Sequence, residues 1–196
     1  LTDSTFSFHS KPDEIAAFLA KAFPSAMRSN SEKIGAELSR YLDPGYSTGR
    51  FNVNVLGEAI SIPNRLHFLD TNVTSDKLVD QEIIDCLLTR STDGFVRQMA
   101  LRQIILLNRP WTIPFVLALV GEYVVEIIIL ILDHASDLDQ VLYADFLTAN
   151  PIFLNRLRSR VMSYWNCYYR VWPYKNRADY PGFRLLDQFD AMTKAA

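Results

Sequence analysis

Between Trp111 and Leu132 the chain carries its most apolar run, and four residues inside it limit what the run can become. As a single helix these residues would reach roughly 33 Å, enough to cross a bilayer. Pro114, Gly121, Glu122 and Glu126 all fall within that length. Ionisable groups at mid-bilayer are costly, no second span offers them partners, and the flanks lack the basic asymmetry that orients a span. Two short core helices broken at Gly121 account for the same residues without that penalty. No membrane span is expected.

Glu126 is then the residue to explain. In "GEYVVEIIILILDH" (121–134), Glu122 and Glu126 stand four apart on one helical face, with Val124, Ile127, Ile128 and Ile131 around the rest. A carboxylate on so apolar a helix is expected to be paired, because a lone buried charge is neutralised or destabilises the fold. Arg97 or Arg102 on the neighbouring helix is the expected partner, making Glu126 a structural acid that locks two helices in register. A pocket lined by Glu122, Glu126 and Arg97 is the functional alternative, and an exposed helix edge is the third.

The totals fit one domain with a proper core: 196 residues, 49% hydrophobic and 21% charged. A net charge of −2 and a pI near 5.9 argue against a surface that is basic throughout, though not against a local basic patch. Cys86 and Cys167 lie in helix-like runs without a CxxC or Cys/His cluster, so no zinc site or disulfide framework is indicated. "LTDSTFSFHS" at the start has no signal-peptide pattern, and a reducing, cytoplasmic setting is expected for a soluble protein.

Helix signals flank a small β element. "SKPDEIAAFLAKAF" predicts a helix capped by Ser10, with Pro12, Asp13 and Glu14 in its first turn and Pro24 ending it. "SNSEKIGAELSRYL" predicts another, with Ser29 and Glu32 at capping-box spacing and "DPG" at 43–45 as the stop. In "RFNVNVLGEAISIPNRLHFLD", Phe51, Val53 and Val55 alternate with Asn52 and Asn54, and Gly57-Glu58 suits a II′ hairpin turn. Pro63 makes the second strand short or an edge. From Ser75 onward, punctuation at Asp93-Gly94, Arg109-Pro110, Gly121, Ala135-Ser136 and Asn150-Pro151 marks helices near 76–90, 94–108, 111–120, 122–134, 137–148 and 151–171. Ser136 and Asp139 repeat the cap spacing, and the tail reads as loop plus one short helix.

Two of these segments overlay. "DGFVRQMALRQIIL" and "GEYVVEIIILIL" place Phe95 on Tyr123, Val96 on Val124 and Ile104 near Leu132. The first resembles the second helix of a HEAT-type repeat, where an Asp turn precedes Val-Arg and then Ala; those residues are Asp93, Val96, Arg97 and Ala100. The second has Val125 in place of the Arg and Ile128 in place of the Ala, and the offset of roughly 27 residues is short for that family. "TRSTDGFVRQMAL" and "PWTIPFVLALVGEYVVEI" are also similar to stretches of bacterial proteins with no assigned activity, so the likeness implies none. The expected fold is one mainly α domain, 1–196: an irregular antiparallel helical bundle or HEAT-like helical stack with one small β-hairpin. It comprises N-terminal helices over 1–45, the hairpin over 50–70, a helical core over 75–172 and a C-terminal tail with a short helix over 173–196.

Catalytic constellations are weak. No GxSxG, HExxH, P-loop or GxGxxG is present. His9 lies in the N-terminal segment, His67 on the second strand beside Arg65, and His134 at a helix end, where the dipole favours a cation. "DHASDLD" gathers Asp133, His134, Asp137 and Asp139, but capping explains the latter two better than a metal does. No catalytic residue, metal or cofactor is assigned.

"RLRSRVMSYWNCYYRVWPYKNR" interleaves arginines with aromatics, as surfaces that grip single-stranded nucleic acid do. Helical spacing favours a plainer reading, with Leu154, Leu157, Val161, Trp165, Tyr168 and Trp172 as a core stripe and Arg156, Arg160 and Arg170 on other faces. The expected function is non-catalytic: a cytoplasmic adaptor or inhibitor, toxin-neutralising for example, whose partner is another protein. Arg97, Trp111, Glu122, Tyr123, Glu126, Arg156, Arg160, Tyr164 and Arg170 are the candidate binding residues. The alternatives are a nucleic-acid-associated protein using the Arg/aromatic helix, and an enzyme with a site near Glu122, Glu126 and Arg97.

Overall fold

The computed structural model describes residues 5–195. Among them are nine α-helices and two antiparallel sheets of two strands each, a mainly helical fold with a small β element. The sequence reading treats 1–196 as one domain; packing groups the chain into two compact units, one ending at Ile104 and one beginning at Ile105.

The first unit opens with strand β1 (Phe6–Ser7) and helices α1 (Pro12–Ala20) and α2 (Arg28–Leu38). The two helices pack closely because Gly35 has no side chain: a Cβ there would lie 2.9 Å from the Cα and carbonyl oxygen of Ala16. Pro12 opens α1 as expected, but its N-cap is Lys11 rather than Ser10 and makes no side-chain bond. α2 starts one residue before Ser29, so the expected capping box does not form; a 3-10 turn over Ser25–Met27 leads into the helix instead. The Glu58 carboxylate secures that turn from afar, accepting from the Ser25 amide at 2.8 and 2.9 Å and from its hydroxyl at 3.0 Å.

β1 pairs with β2 (Ser47–Thr48), a second small sheet beyond the one hairpin that alternation predicts. That hairpin is β3 (Arg50–Val55) and β4 (Glu58–Pro63), with Val53 opposite Ile60 and both turned into the core. Its turn is Leu56-Gly57, one residue earlier than the expected Gly57-Glu58. Both turn residues have positive φ (52° and 84°), which is type I′ rather than II′. The reason is register: Val55 faces Glu58 directly, leaving two residues to reverse the chain.

Helices α3 (Leu78–Leu88) and α4 (Gly94–Ile104) complete the unit, with α2 against α3 and α3 against α4. Asp80 is buried on α3 and accepts from Lys33 Nζ and Asn30 Nδ2, each at 2.7 Å, tying α3 to α2. The carboxyl is held below its ordinary range, first by the bond from Lys33 and then by that from Asn30. Buried arginines fix the loops. Arg90 donates to the Pro63 carbonyl at 3.1 Å and lies over the Phe51 ring; Arg97 donates to the carbonyls of Ser91 at 2.9 Å and Thr92 at 3.0 Å.

The second unit contains α5 (Ile113–Val120), α6 (Val125–Asp133), α7 (Gln140–Ala149), α8 (Pro151–Tyr164) and α9 (Pro181–Ala195). Every residue of α5 is buried, and α6 buries Ile127, Ile128, Leu130 and Ile131. Each such aliphatic side chain removed from water contributes about 1.5–3 kcal/mol before entropy is counted. The break at Gly121 is real, and among the described residues no helix is long and apolar enough to cross a membrane. Asp139, rather than Ser136, caps the next helix by accepting from the amides of Val141 and Leu142. The tail is more ordered than expected: α9 is the longest helix, and it packs on α6, α7 and α8.

Glu126 corrects the sequence reading. α6 begins at Val125, so Glu122 lies in the joint before it and the two acids do not share a helical face. Glu122 is fully buried there, whereas Glu126 is exposed on the first turn of α6, where the helix dipole favours an acid. Arg102 is exposed as well. Glu126 is therefore a solvated acid and not the buried one that the sequence reading expects.

Candidate functional site

The second unit gathers aromatic rings and arginines along α8 and the segment that follows. Pro151 starts α8, and the row of four-residue steps Arg156, Arg160, Tyr164 lies along one side of the helix. The opposite side buries Leu154, Leu157, Val161 and Trp165. Two glycines allow neighbours to approach. A Cβ on Gly121 would come within 3.0 Å of Leu157 Cδ1 and 3.3 Å of Arg160 Cβ, so the α5–α6 joint seats against α8 beside Arg160. A Cβ on Gly182 would meet Val161 Cγ1 at 2.9 Å, which is where α9 closes on α8.

From Trp165 to Tyr169 the chain winds as a π-helix, with the Arg170 amide donating to the Trp165 carbonyl at 2.8 Å. One extra residue per turn rotates everything after Trp165 relative to the α8 core stripe. Tyr169 takes the half-buried position that an uninterrupted helix would give Tyr168, and burial raises its hydroxyl pKa. Tyr168 and Trp172, expected in the core, are turned outward at 61% and 77% exposure. The core-stripe reading thus holds through Trp165 and fails beyond it.

The displaced rings form a cluster. Tyr164 and Tyr168 stack at 6.1 Å between centroids, and Tyr123, just past Gly121, meets them at 6.2 and 6.4 Å. The Tyr169 hydroxyl donates to the Tyr123 carbonyl, pinning the joint to the π-turn. Arg160 lies 5.9 Å from the Tyr164 ring centre and Arg170 5.8 Å from that of Trp165. Trp165 Nε1 donates to the Tyr174 carbonyl at 2.8 Å, which anchors the loop carrying the exposed Val171 and Trp172.

Of the residues singled out in the sequence, Tyr123, Arg160 and Tyr164 come together, with Arg156 on the same row and Arg170 beside the π-turn. Trp111 is half-buried ahead of α5, Glu122 is sealed in the α5–α6 joint, and Arg97 is a loop-holding residue of the first unit. Sequence reasoning misplaced Tyr168 and Trp172 because nothing in "SYWNCYYRVW" marks the π-turn. Its one hint is density: more aromatic residues than a single helical stripe can bury.

Electrostatics set this region apart. Residues 151–177 contain six arginines or lysines and no acid, so the remainder carries −8 to give the overall −2. Arg158 is engaged by Asp190 of α9, and Arg177 lies 4.4 Å from the Phe183 ring centre. Arg156, Arg160, Arg170 and Lys175 remain along the aromatic cluster and its loop. Elsewhere, His134 Nδ1 lies 3.6 Å from Asp137, Asp139 is used as a cap, and among the described residues no three His, Cys, Asp or Glu side chains are grouped to hold a metal. Compared with family models, curated proteins and solved structures, the chain finds no match.

Proposed function

We propose that the protein is a non-catalytic binding protein, an adaptor or inhibitor, that engages another protein through the tyrosine–arginine face of its second unit. The observation carrying this reading is the outward display of Tyr123, Tyr168 and Trp172 next to Arg156 and Arg160. Tyr, Trp and Arg are the side chains that concentrate binding energy at protein interfaces, because each offers a large apolar surface with a polar tip. Here the π-turn, the Tyr169–Tyr123 bond and the Trp165–Tyr174 bond fix the backbone that carries Tyr123, Tyr168 and Trp172, which lessens the ordering required on binding. A partner surface bearing carboxylates is the complement of this stretch.

The HEAT-like reading belongs to the same proposal. Asp93 accepts from the Phe95 amide at 2.7 Å and Arg97 donates to two loop carbonyls, bonds that support this reading, and stacked helix pairs commonly serve as binding scaffolds. Single-stranded nucleic acid is the competing ligand for an arginine–aromatic surface. It is disfavoured because the tyrosine rings pack on one another instead of standing apart as base platforms.

The test is affinity capture from the native host with the wild-type chain and the double variant Arg160→Glu, Tyr168→Ala. A protein retained by the wild type, released by added salt and lost with the variant supports the reading. Salt-sensitive retention of RNA or DNA that nuclease treatment abolishes would overturn it.

A further inference from the structure

A groove of about 300 Å³ runs between α3 and α4 in the first unit, lined by Leu88, Val96, Ala100, Met99 and Phe95, with Asp85 among them. Its walls are mainly apolar, and two of them stand out from the surface: Phe95 is 82% exposed and Met99 60%. An aromatic and a thioether left in water beside a concave surface are costly to leave uncovered and are typical of surfaces that accept a partner's side chain.

Asp85 is the chemically distinctive element. Its residue is buried, and one carboxylate oxygen accepts from Gln81 Nε2 at 3.0 Å on the same helix. The other oxygen makes no hydrogen bond, and no cation pairs with the carboxylate among the described residues. Glu82 beside it carries the same sign, and Gln103 across the groove is neutral. A desolvated carboxylate without a positive partner is what buried charge normally avoids. Asp80, five residues earlier on α3, is the internal contrast, since Lys33 and Asn30 both reach it.

We infer that the α3–α4 groove is a docking site for a lysine or arginine side chain of a partner polypeptide, with Asp85 receiving the cation and Phe95 and Met99 covering its aliphatic stem. Charge complementarity selects the head group: an ammonium or guanidinium supplies the missing partner, whereas a carboxylate or phosphate would be repelled. The apolar walls select a charge carried on a hydrocarbon stem, which lysine and arginine provide. The Phe95 ring, free on its outer side, adds a face that attracts cations. Met99, unbranched and polarisable, can adapt to either stem. This site lies apart from the tyrosine–arginine face, and neither reading depends on the other.

The experiment uses the full chain, isotope-labelled, titrated by NMR with short helical peptides of alanine and glutamine. Each peptide carries two leucines flanking one variable residue: lysine, arginine, norleucine or glutamate. The expected result is saturable shifts of α3 and α4 amides with the lysine and arginine peptides, about tenfold or more tighter than with norleucine, and no binding of the glutamate peptide. Asp85→Asn, close to isosteric, should erase the preference for a cation while leaving the spectrum folded. Phe95→Ala, at an exposed position, should weaken the lysine and arginine peptides alike. Equal affinity for norleucine and lysine, or a cation preference that survives Asp85→Asn, would overturn the inference. So would saturation that maps to residues outside α3 and α4.

Discussion

Replacing Asp85 with asparagine measures what the groove costs the fold. Burial pushes the Asp85 carboxyl up to about 6; the hydrogen bond from Gln81 opposes this, and the nearby Glu82 adds to it. In the unfolded chain an aspartate titrates near 3.9. Between these values the folded chain binds the proton more tightly than the unfolded one. Stability therefore falls as pH rises through that window, stays lower above about 6, and recovers below the unfolded value. The gap is worth about 3 kcal/mol without screening, and about 1–2 kcal/mol once the groove's opening to solvent is allowed for. Asp85→Asn keeps the side-chain shape and has no charge to desolvate. Urea unfolding at about pH 4 and about pH 8, with hydrogen exchange read on the α3 amides, should show the wild type losing that much more than the variant. Parallel stability profiles for the two proteins would refute the argument, because they would mean that Asp85 is solvated as well in the fold as in the unfolded chain.

Trp172→Ala and Tyr168→Ala should each change thermal stability by less than about 0.5 kcal/mol, whereas Trp165→Ala should cost about 3–5 kcal/mol; a large loss from Trp172→Ala would contradict the outward rotation after the π-turn. Gly35→Ala forces a methyl group against the Ala16 backbone and should destabilise by about 1–3 kcal/mol in chemical denaturation. Leu56→Asn should stabilise the hairpin by about 0.5–1 kcal/mol, since asparagine tolerates the positive φ that leucine adopts there; a lower melting temperature would count against the I′ turn. Asp80 is depressed in the fold, so its contribution is present above the ordinary carboxylate range and lost as pH falls through its folded value. The stability difference between wild type and Asp80→Asn should accordingly shrink toward acid pH in urea titrations.

How far the residues announce these features depends on whether the information is local. The helix starts at Pro12 and Pro151, the break at Gly121 and the alternation of Val53 and Val55 rest on backbone chemistry within a few residues, and they read correctly. Caps were less legible. Ser10 and Ser29 are good capping residues by type, yet Lys11 and Met27 hold those positions without side-chain bonds. At the second helix the Glu58 carboxylate does the securing from the hairpin, a long-range partner that no window around Ser29 contains. Glu126 shows the same limit. Placing it inside a helix that begins at Glu122 makes a buried acid, whereas a start at Val125 makes it a solvated first-turn acid and transfers the burial to Glu122.

Both proposed surfaces arise where a regular pattern is interrupted, which is why periodicity passes over them. On α8 the four-residue spacing predicts that Tyr168 and Trp172 continue inward, and one residue of π-winding is enough to turn them out. On α3 the aspartates Asp80 and Asp85 look equivalent as sequence, both being carboxylates on one amphipathic helix. They part company only when α2 supplies Lys33 to the first and α4 supplies apolar walls to the second. A net charge of −2 hides this as well, since a cation-only stretch over 151–177 cancels most of the acid carried elsewhere. The whole-chain total therefore bounds the class of partner poorly. Recognition depends on the sign presented locally, and the two units present opposite signs beside the exposed Phe95 and Met99 of one and the exposed Tyr168 and Trp172 of the other.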